Sequence, residues 1–170
     1  MSLMFIICWS TTTATAEDLN IYGEKLKPCS TEGMALTGFT RKGLCEDYDD
    51  PEVDEADYAS HNVCIDIPSS RGGIFCTVTG QPNWCEELRP CQEDPEKECI
   101  VENWCVCEWA FARYLNLAGG CDKIAEIICD ATNIKVIEHY QRGIKEHEDP
   151  HSIRAMACIK ERCGTSVAHI

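Results

Sequence analysis

The 170-residue chain carries 29 acidic and 15 basic side chains, so its formal net charge is −14 at neutral pH. A surface with this charge repels phosphate backbones and anionic lipids, which argues against nucleic-acid binding and membrane-surface binding. It favours cations or a protein partner with a basic docking surface. The chain also has 14 cysteines, a content typical of a disulfide scaffold in an oxidising compartment, whereas a cytosolic chain this rich in thiols more often holds metal.

The first 16 residues have features of a targeting segment. Residues 3–9 are apolar, and Ala14-Thr15-Ala16 has the small-x-small form of a cleavage site, although no basic residue precedes the apolar run. The run is far shorter than the ~20 residues that span a bilayer, so no membrane insertion is expected. Cleavage would remove Cys8 and leave 13 cysteines, an odd number, so at least one thiol would be free or paired to another chain. We predict a secreted protein or, since no Asn-x-Ser/Thr sequon occurs, one of an organelle lumen such as the thylakoid lumen.

Residues 17–170 read as one domain. Two glycines flank a polar and aromatic stretch at residues 36–45, which predicts a strand or hairpin edge. Residues 46–57 hold eight acids, whose mutual repulsion predicts an exposed loop. Alternating or β-branched residues predict half-buried strands at residues 60–67 and 74–79.

The second half of the chain predicts an irregular insert followed by helices. Residues 80–98 contain three prolines and two cysteines, and we expect cross-links to hold them. An apolar stripe predicts a helix over residues 104–118, which ends at two glycines. The Thr-Asn pair at residues 132–133 can cap a second helix that ends at Gly143, and Ser152 can cap a third over residues 153–162. We therefore predict an α+β fold, with a small mixed sheet and about three packed helices in a single disulfide-rich domain.

Five short motifs, taken as an ordered set, resemble domain-of-unknown-function family 2237. They are Pro-Cys-Ser at 28–30, Thr-Gly-Phe-Thr-Arg-Lys-Gly-Leu-Cys at 37–45, Ser-His-Asn-Val-Cys at 60–64, Trp-Cys-Val-Cys at 104–107 and Ala-Thr at 131–132. The resemblance spans residues 20–142 and implies a small α+β domain, found largely in bacteria, with no assigned activity. It also implies that residues 124–130 form a strand, although their spacing is compatible with a helix.

The resemblance divides the cysteines into two sets. Five lie in the motifs: Cys29, Cys45, Cys64, Cys105 and Cys107. The other eight lie outside them, four in a middle region where this sequence departs from the family pattern: Cys76, Cys85, Cys91, Cys99, Cys121, Cys129, Cys158 and Cys163. Because eight is even, these additions could all be disulfides laid over an older five-thiol domain, and we predict five or six disulfides in all. The connectivity cannot be read from the sequence.

Two thiol constellations could carry chemistry. Cys105 and Cys107, two residues apart, could chelate a soft metal or act as a redox pair, but the two knuckles of a usual zinc site and the C-x-x-C redox motif are absent, which favours structural disulfides or buried thiols. His61 precedes Cys64 by three residues, which on a strand places the two side chains on opposite faces. If His61 serves a thiol, Cys29, Cys45 or Cys105 must reach it through the fold, and a structural histidine is the alternative.

Other residues suggest binding. Arg41, between two glycines, could hold a carboxylate or another small anion, or could form an ion pair with the acidic loop. That loop lacks the pattern of a calcium-binding hand, which leaves at most a diffuse cation site. Four aromatic residues could form a binding box but are more typical of a core: Trp84, Trp104, Trp109 and Phe111.

No convergent catalytic set is visible in the sequence, and we expect no cofactor and no resident metal. The first functional hypothesis is a non-enzymatic structural or protein-interaction module, for instance a soluble lumenal subunit of a larger complex. The second is a thiol-dependent redox or metal-binding protein that uses His61 with Cys64, Cys105 and Cys107. The third is a small-anion binder at Arg41.

Overall fold

The computed structural model describes residues 18–47, 61–68, 75–81 and 84–164. The predicted targeting segment, with Cys8, and most of the acidic loop lie outside these ranges. In chain order the elements are β1 (Val63–Asp66), α1 (Phe75–Thr79), β2 (Leu88–Pro90), β3 (Glu98–Ile100), β4 (Asn103–Val106), α2 (Glu108–Ala118), α3 (Lys135–His147) and α4 (Pro150–Cys163). No helix among these residues is long and apolar enough to cross a membrane.

These elements confirm the α+β class. The strands form two separate antiparallel pairs, β1 with β4 and β2 with β3, rather than one mixed sheet, and four helices accompany them. β1 is the most buried strand, since all four of its residues are buried. Its register places Val63 opposite Val106 and Cys64 opposite Cys105, and an isolated bridge joins its Ile65 to Ile127 on the other side.

The three longer helices form a layer in which α4 packs against both α2 and α3. The helix α3 continues past Gly143, where the sequence predicted its end. A glycine fits this position because α4 approaches α3 closely there. A Cβ at this position would lie 2.9 Å from the Ser152 hydroxyl. Asp149, rather than Ser152, caps α4 by accepting hydrogen bonds from the backbone N–H groups of His151 and Ser152.

Two predicted elements are wrong in kind or extent. Residues 75–79 form the helix α1 instead of a strand: Phe75 packs edge-on against Trp84 and Tyr114, and the Thr79 hydroxyl donates to the Phe75 carbonyl one turn back. The helix predicted over residues 104–118 begins four residues later, because Trp104 belongs to β4 and pairs with Ile65. In both cases tertiary contacts override a short local pattern.

Three other segments also differ from the prediction. Residues 36–45 form turns, not a strand, around Gly38 and Gly43, both of which have positive φ. The insert at residues 80–98 is more regular than expected, since it contains β2 and the start of β3. Residues 124–130 were predicted as a strand, but they form an isolated bridge to β1 at Ile127, flanked by hydrogen bonds of Glu126 and Ile128 to β1. A short 3-10 helix at Cys129–Ala131 follows.

Six disulfides link the described cysteines. Two join motif cysteines, Cys29–Cys64 and Cys45–Cys105. Four join the remaining eight: Cys76–Cys85, Cys91–Cys99, Cys121–Cys158 and Cys129–Cys163. None of the six uses Cys107. The chain is therefore a disulfide-rich domain, and this many disulfides indicates an oxidising compartment.

Candidate functional site

A cavity of about 650 Å³ opens beside β4 and the start of α2. Its lining combines side chains of three kinds. Apolar and aromatic groups form most of the wall, and they include Trp84, Trp104 and Trp109. Two arginines, Arg41 and Arg89, supply positive charge. The remaining polar groups include the imidazole of His61 and the thiol of Cys107. Concave, mostly apolar sites with a few convergent polar groups are the usual form of a small-molecule site.

The thiol of Cys107 lies against the imidazole of His61. The Cys107 Sγ is 3.4 Å from Nε2 and 3.7 Å from Nδ1 of that ring. Both residues lie just beyond the β1–β4 pairing, which ends with Val63 opposite Val106, so the pairing brings their chain segments close together. The Phe39 ring packs against the same imidazole at 5.5 Å between ring centroids. The structure thus forms a thiol–imidazole pair, the arrangement that activates a cysteine nucleophile.

Cys107 is also the N-cap residue of α2. Its backbone is extended, with φ −62° and ψ 145°, and its side chain makes no capping hydrogen bond. The first N–H groups of a helix have no partner within the helix, and the helix dipole places partial positive charge at this end. Groups at such a position can stabilise a negative charge. The thiol of Cys107 therefore lies next to both the start of α2 and the His61 imidazole.

Arg41, an exposed residue, also lines the cavity. Its guanidinium packs over the Trp104 ring, 5.3 Å from the ring centroid. Its backbone is left-handed, with φ +55°, which is uncommon for a residue other than glycine. The turn that holds it depends on Gly38, where φ is +90° and a Cβ would collide with the Leu44 carbonyl. Among the residues that the structure describes, Arg41 makes this cation–π contact rather than an ion pair with the acidic segment.

A second polar network lies on the other side of the α2 N-terminus. Glu108, the residue after Cys107, accepts a hydrogen bond from the Asn62 side chain at 3.2 Å and pairs with His139 Nδ1 at 2.8 Å. The hydrogen bond from the Glu108 carboxylate raises the pKa of His139. Tyr140 donates to the Glu108 carbonyl at 2.6 Å, and burial raises the pKa of this phenol well above its usual value. The Glu108 carboxylate is therefore anchored by Asn62 and His139.

The structure brings together only some of the residues that the sequence suggested as a thiol site. His61 meets Cys107, not Cys64 or Cys105, because the sulfurs of the latter two are in disulfides. Cys105 lies in β4, and Cys107 follows this strand with an extended backbone at the start of α2. The sulfurs of Cys29, Cys45 and Cys64 lie within 4.8 Å of one another, but all are disulfide sulfurs, which do not bind metal as thiolates.

Sequence reasoning overlooked some of the cavity residues. Three of the four aromatic residues that were expected in the core line the cavity instead, and Phe111 alone is fully buried. Arg89 was not singled out, because nothing in its local sequence separates it from surface residues. Phe39 lies in the motif at residues 37–45, but its contact with His61 has no local signal. The positive φ of Arg41 also has no sequence signal, although the two nearby glycines indicate an unusual turn.

Comparison with the models of known protein families gives a match. The model of a family described as "Uncharacterized protein conserved in bacteria (DUF2237)" matches residues 19–147. The match includes all the motif cysteines together with Arg41 and His61. No curated protein matches the chain.

Proposed function

The chain belongs to this family of uncharacterised proteins conserved in bacteria, and we propose that it is a thiol-dependent protein in which Cys107 is the nucleophile and His61 its proton acceptor. One observation carries the proposal: the 3.4 Å contact between Cys107 Sγ and His61 Nε2 at the wall of a cavity of about 650 Å³. The cavity gives a substrate access to this thiol. The sulfurs of Cys64 and Cys105, by contrast, are held in buried disulfides.

The chemical step is the formation of the nucleophile. The proton on Cys107 Sγ moves to a ring nitrogen of His61, which leaves a thiolate beside an imidazolium. The partial positive charge of the α2 N-terminus stabilises the negative sulfur, and the Phe39 ring restricts the orientation of the imidazole. The thiolate, not the thiol, attacks an electrophilic atom. His61 then holds a proton that it can return to a leaving group.

The reaction rate of Cys107 with iodoacetamide, measured across pH, tests this proposal. A Cys8→Ser background leaves Cys107 as the cysteine outside the six disulfides, and the modified residue is identified by mass spectrometry. An ordinary cysteine has a pKa of about 8.5, and those at helix N-termini or beside histidine fall to about 7.5 or lower. We expect the wild-type inflection below about 7.5. His61→Ala should move the inflection upward.

His151→Ala is the matched control. His151 is an exposed histidine of α4 that does not line this cavity, so its loss should leave the inflection unchanged. An inflection near about 8.5 in the wild type would overturn the proposal. So would a His61→Ala profile that coincides with the wild-type profile.

A second proposal is the non-enzymatic structural or interaction module, secreted or lumenal and docked on a basic partner. The net charge of −14 and the exposed Trp109 and Leu117 of α2 support it. Electrostatic docking is screened over about 8–10 Å at physiological salt and over about 3 Å at 1 M. In pull-downs across a salt series, the partner should therefore be released as the salt concentration rises. Retention that is unchanged up to roughly 1 M salt would contradict the electrostatic account.

A further inference from the structure

We propose that the cavity beside Cys107 selects small organic monocarboxylates with an aromatic or apolar body, and that Arg41 holds their carboxylate. This inference rests on the proposed function, because it names the substrate class of the same site. Arg41 and Cys107 line one cavity, together with Trp104, which contacts Arg41, and His61, which contacts Cys107. A ligand in this cavity can therefore meet both the guanidinium and the thiol.

The charge of the cavity contrasts with the charge of the chain. The whole chain carries −14, yet the ionisable side chains that line this cavity among the described residues are two arginines, His61 and Cys107. A general surface field would repel an anion, so attraction must come from the cavity itself. Arg89 forms an exposed ion pair with Glu87 at 2.6 Å, which competes with a ligand for its guanidinium. Arg41 is the arginine of this cavity that makes no such pair among the described residues.

A single available guanidinium suits one negative charge. The planar fork of an arginine binds a carboxylate through two parallel N–H bonds. A phosphate dianion would require a second positive group, but Arg89 pairs with Glu87, and a protonated His61 is balanced by the Cys107 thiolate beside it. The Trp104 ring beneath Arg41 restricts the guanidinium without neutralising it, because a cation–π contact leaves the outward N–H groups able to donate. The geometry therefore favours a monocarboxylate.

The walls define the rest of the ligand. Trp84 and Trp104 lie with their rings 5.3 Å apart, and Phe75 packs against Trp84 at 6.1 Å. Pro90 and Pro95 add apolar surface from the other side. A flat aromatic or branched apolar body would bury its surface against these side chains. Small hydrophilic acids would leave the same walls in contact with water.

Two matched alkylating reagents test the inference: para-(bromomethyl)benzoate and its neutral analogue para-(bromomethyl)benzamide. In both, the Cys107 thiolate forms an S–C bond while the C–Br bond breaks and bromide leaves with the electron pair. The rate ratio of the charged to the neutral reagent measures carboxylate selection, because any change in thiol reactivity affects both rates equally. In the Cys8→Ser background, we expect Arg41→Gln to lower this ratio about fivefold at low salt.

Arg154→Gln is the control. Arg154 lies on α4, bonds Asn116 and is not among the residues that line this cavity, so this variant should keep the wild-type ratio. A ratio that changes less than about twofold in Arg41→Gln, or that falls equally in Arg154→Gln, overturns the assignment to Arg41. If the neutral reagent reacts with the wild-type protein no faster than with an ordinary cysteine, the proposal that Cys107 is an activated nucleophile is overturned instead. Failure of the Arg41 assignment and failure of the proposed nucleophile are therefore distinguished.

Discussion

The two disulfides of motif cysteines join different parts of the molecule from the four disulfides of the added cysteines. Cys29–Cys64 and Cys45–Cys105 attach the N-terminal segment, residues 18–47, to facing positions of β1 and β4. Of the added disulfides, two close short loops, with separations of 8 and 9 residues, and two attach α4 to the segment that precedes α3. The motif set also includes the thiol of Cys107.

This difference shows which cross-links position the candidate site. Residues 18–47 form turns and isolated bridges but no helix or longer strand, so they have little regular structure to hold their place. They nevertheless carry Phe39 and Arg41, which contact His61 and Trp104. The motif disulfides, whose cysteines are at most 1% exposed, therefore attach the segment with Phe39 and Arg41 to the β1–β4 pair. Of the added disulfides, Cys76–Cys85 is next to the cavity residues Phe75 and Trp84, whereas Cys121–Cys158 and Cys129–Cys163 attach α4, none of whose residues is among those that line the cavity.

The largest effect is expected when a motif disulfide is removed. Cys45→Ala combined with Cys105→Ala opens a loop of 60 residues, which predicts a loss of about 4 kcal/mol in the free energy of unfolding. Because the segment with Arg41 is then less constrained, the carboxylate preference of Cys107 alkylation should fall as well. Denaturant unfolding without reductant measures the first effect. Unchanged stability and unchanged alkylation together would contradict the distinction between the two sets.

A smaller effect is expected for an added disulfide. Cys91→Ala combined with Cys99→Ala opens a loop of 8 residues in the β2–β3 hairpin, which predicts a loss of about 2.5 kcal/mol. The inflection of the Cys107 alkylation profile should stay where it is in the wild type, because neither Cys107 nor His61 contacts this disulfide. The same unfolding and alkylation measurements apply. A loss larger than that of the Cys45–Cys105 pair would reverse the order proposed here.

The third prediction concerns the pH dependence of the helical layer. The bond to Glu108 raises the pKa of His139 in the folded state, so the charged histidine stabilises the fold. This contribution is fully present below the unfolded pKa of about 6.5 and is lost as pH rises through the folded-state pKa. We expect His139→Gln to flatten the pH dependence of the free energy of unfolding above neutrality.

The exposed His147 supplies the control for this prediction. Its side chain is 76% exposed, so His147→Gln should leave the pH dependence as it is in the wild type. A His139→Gln curve parallel to the wild-type curve would show that the pair with Glu108 contributes nothing measurable.

The smallest effect on stability is expected at Cys107 itself. None of the six disulfides includes this residue, so Cys107→Ser should change the free energy of unfolding by no more than about 0.5 kcal/mol. The same variant should abolish alkylation in the Cys8→Ser background. A loss of about 2 kcal/mol or more, the size expected for a disulfide, would place Cys107 among the cross-linked cysteines and remove the proposed nucleophile.

The sequence by itself determined the class of protein and several local elements. Its cysteine content indicated a disulfide-rich domain, and the motifs separated five cysteines from eight, the same division that the disulfides follow. Apolar periodicity located α3, α4 and most of α2, because a helix depends on residues three and four apart. The C-terminal end of α2 at Gly119, with its left-handed φ of 92°, is a local feature as well.

Tertiary structure decided which groups meet at the site. His61 and Cys107 are 46 residues apart, and the antiparallel pairing of β1 with β4 brings together the two chain segments that carry them. A shift of one residue in that register would turn the buried side chains of β1 to the other face, and no local pattern specifies it. The same pairing makes Trp104 part of a strand and places it beneath Arg41. Residue types and spacing are local properties of the chain, whereas the pairing of distant strands depends on contacts that form only in the folded domain.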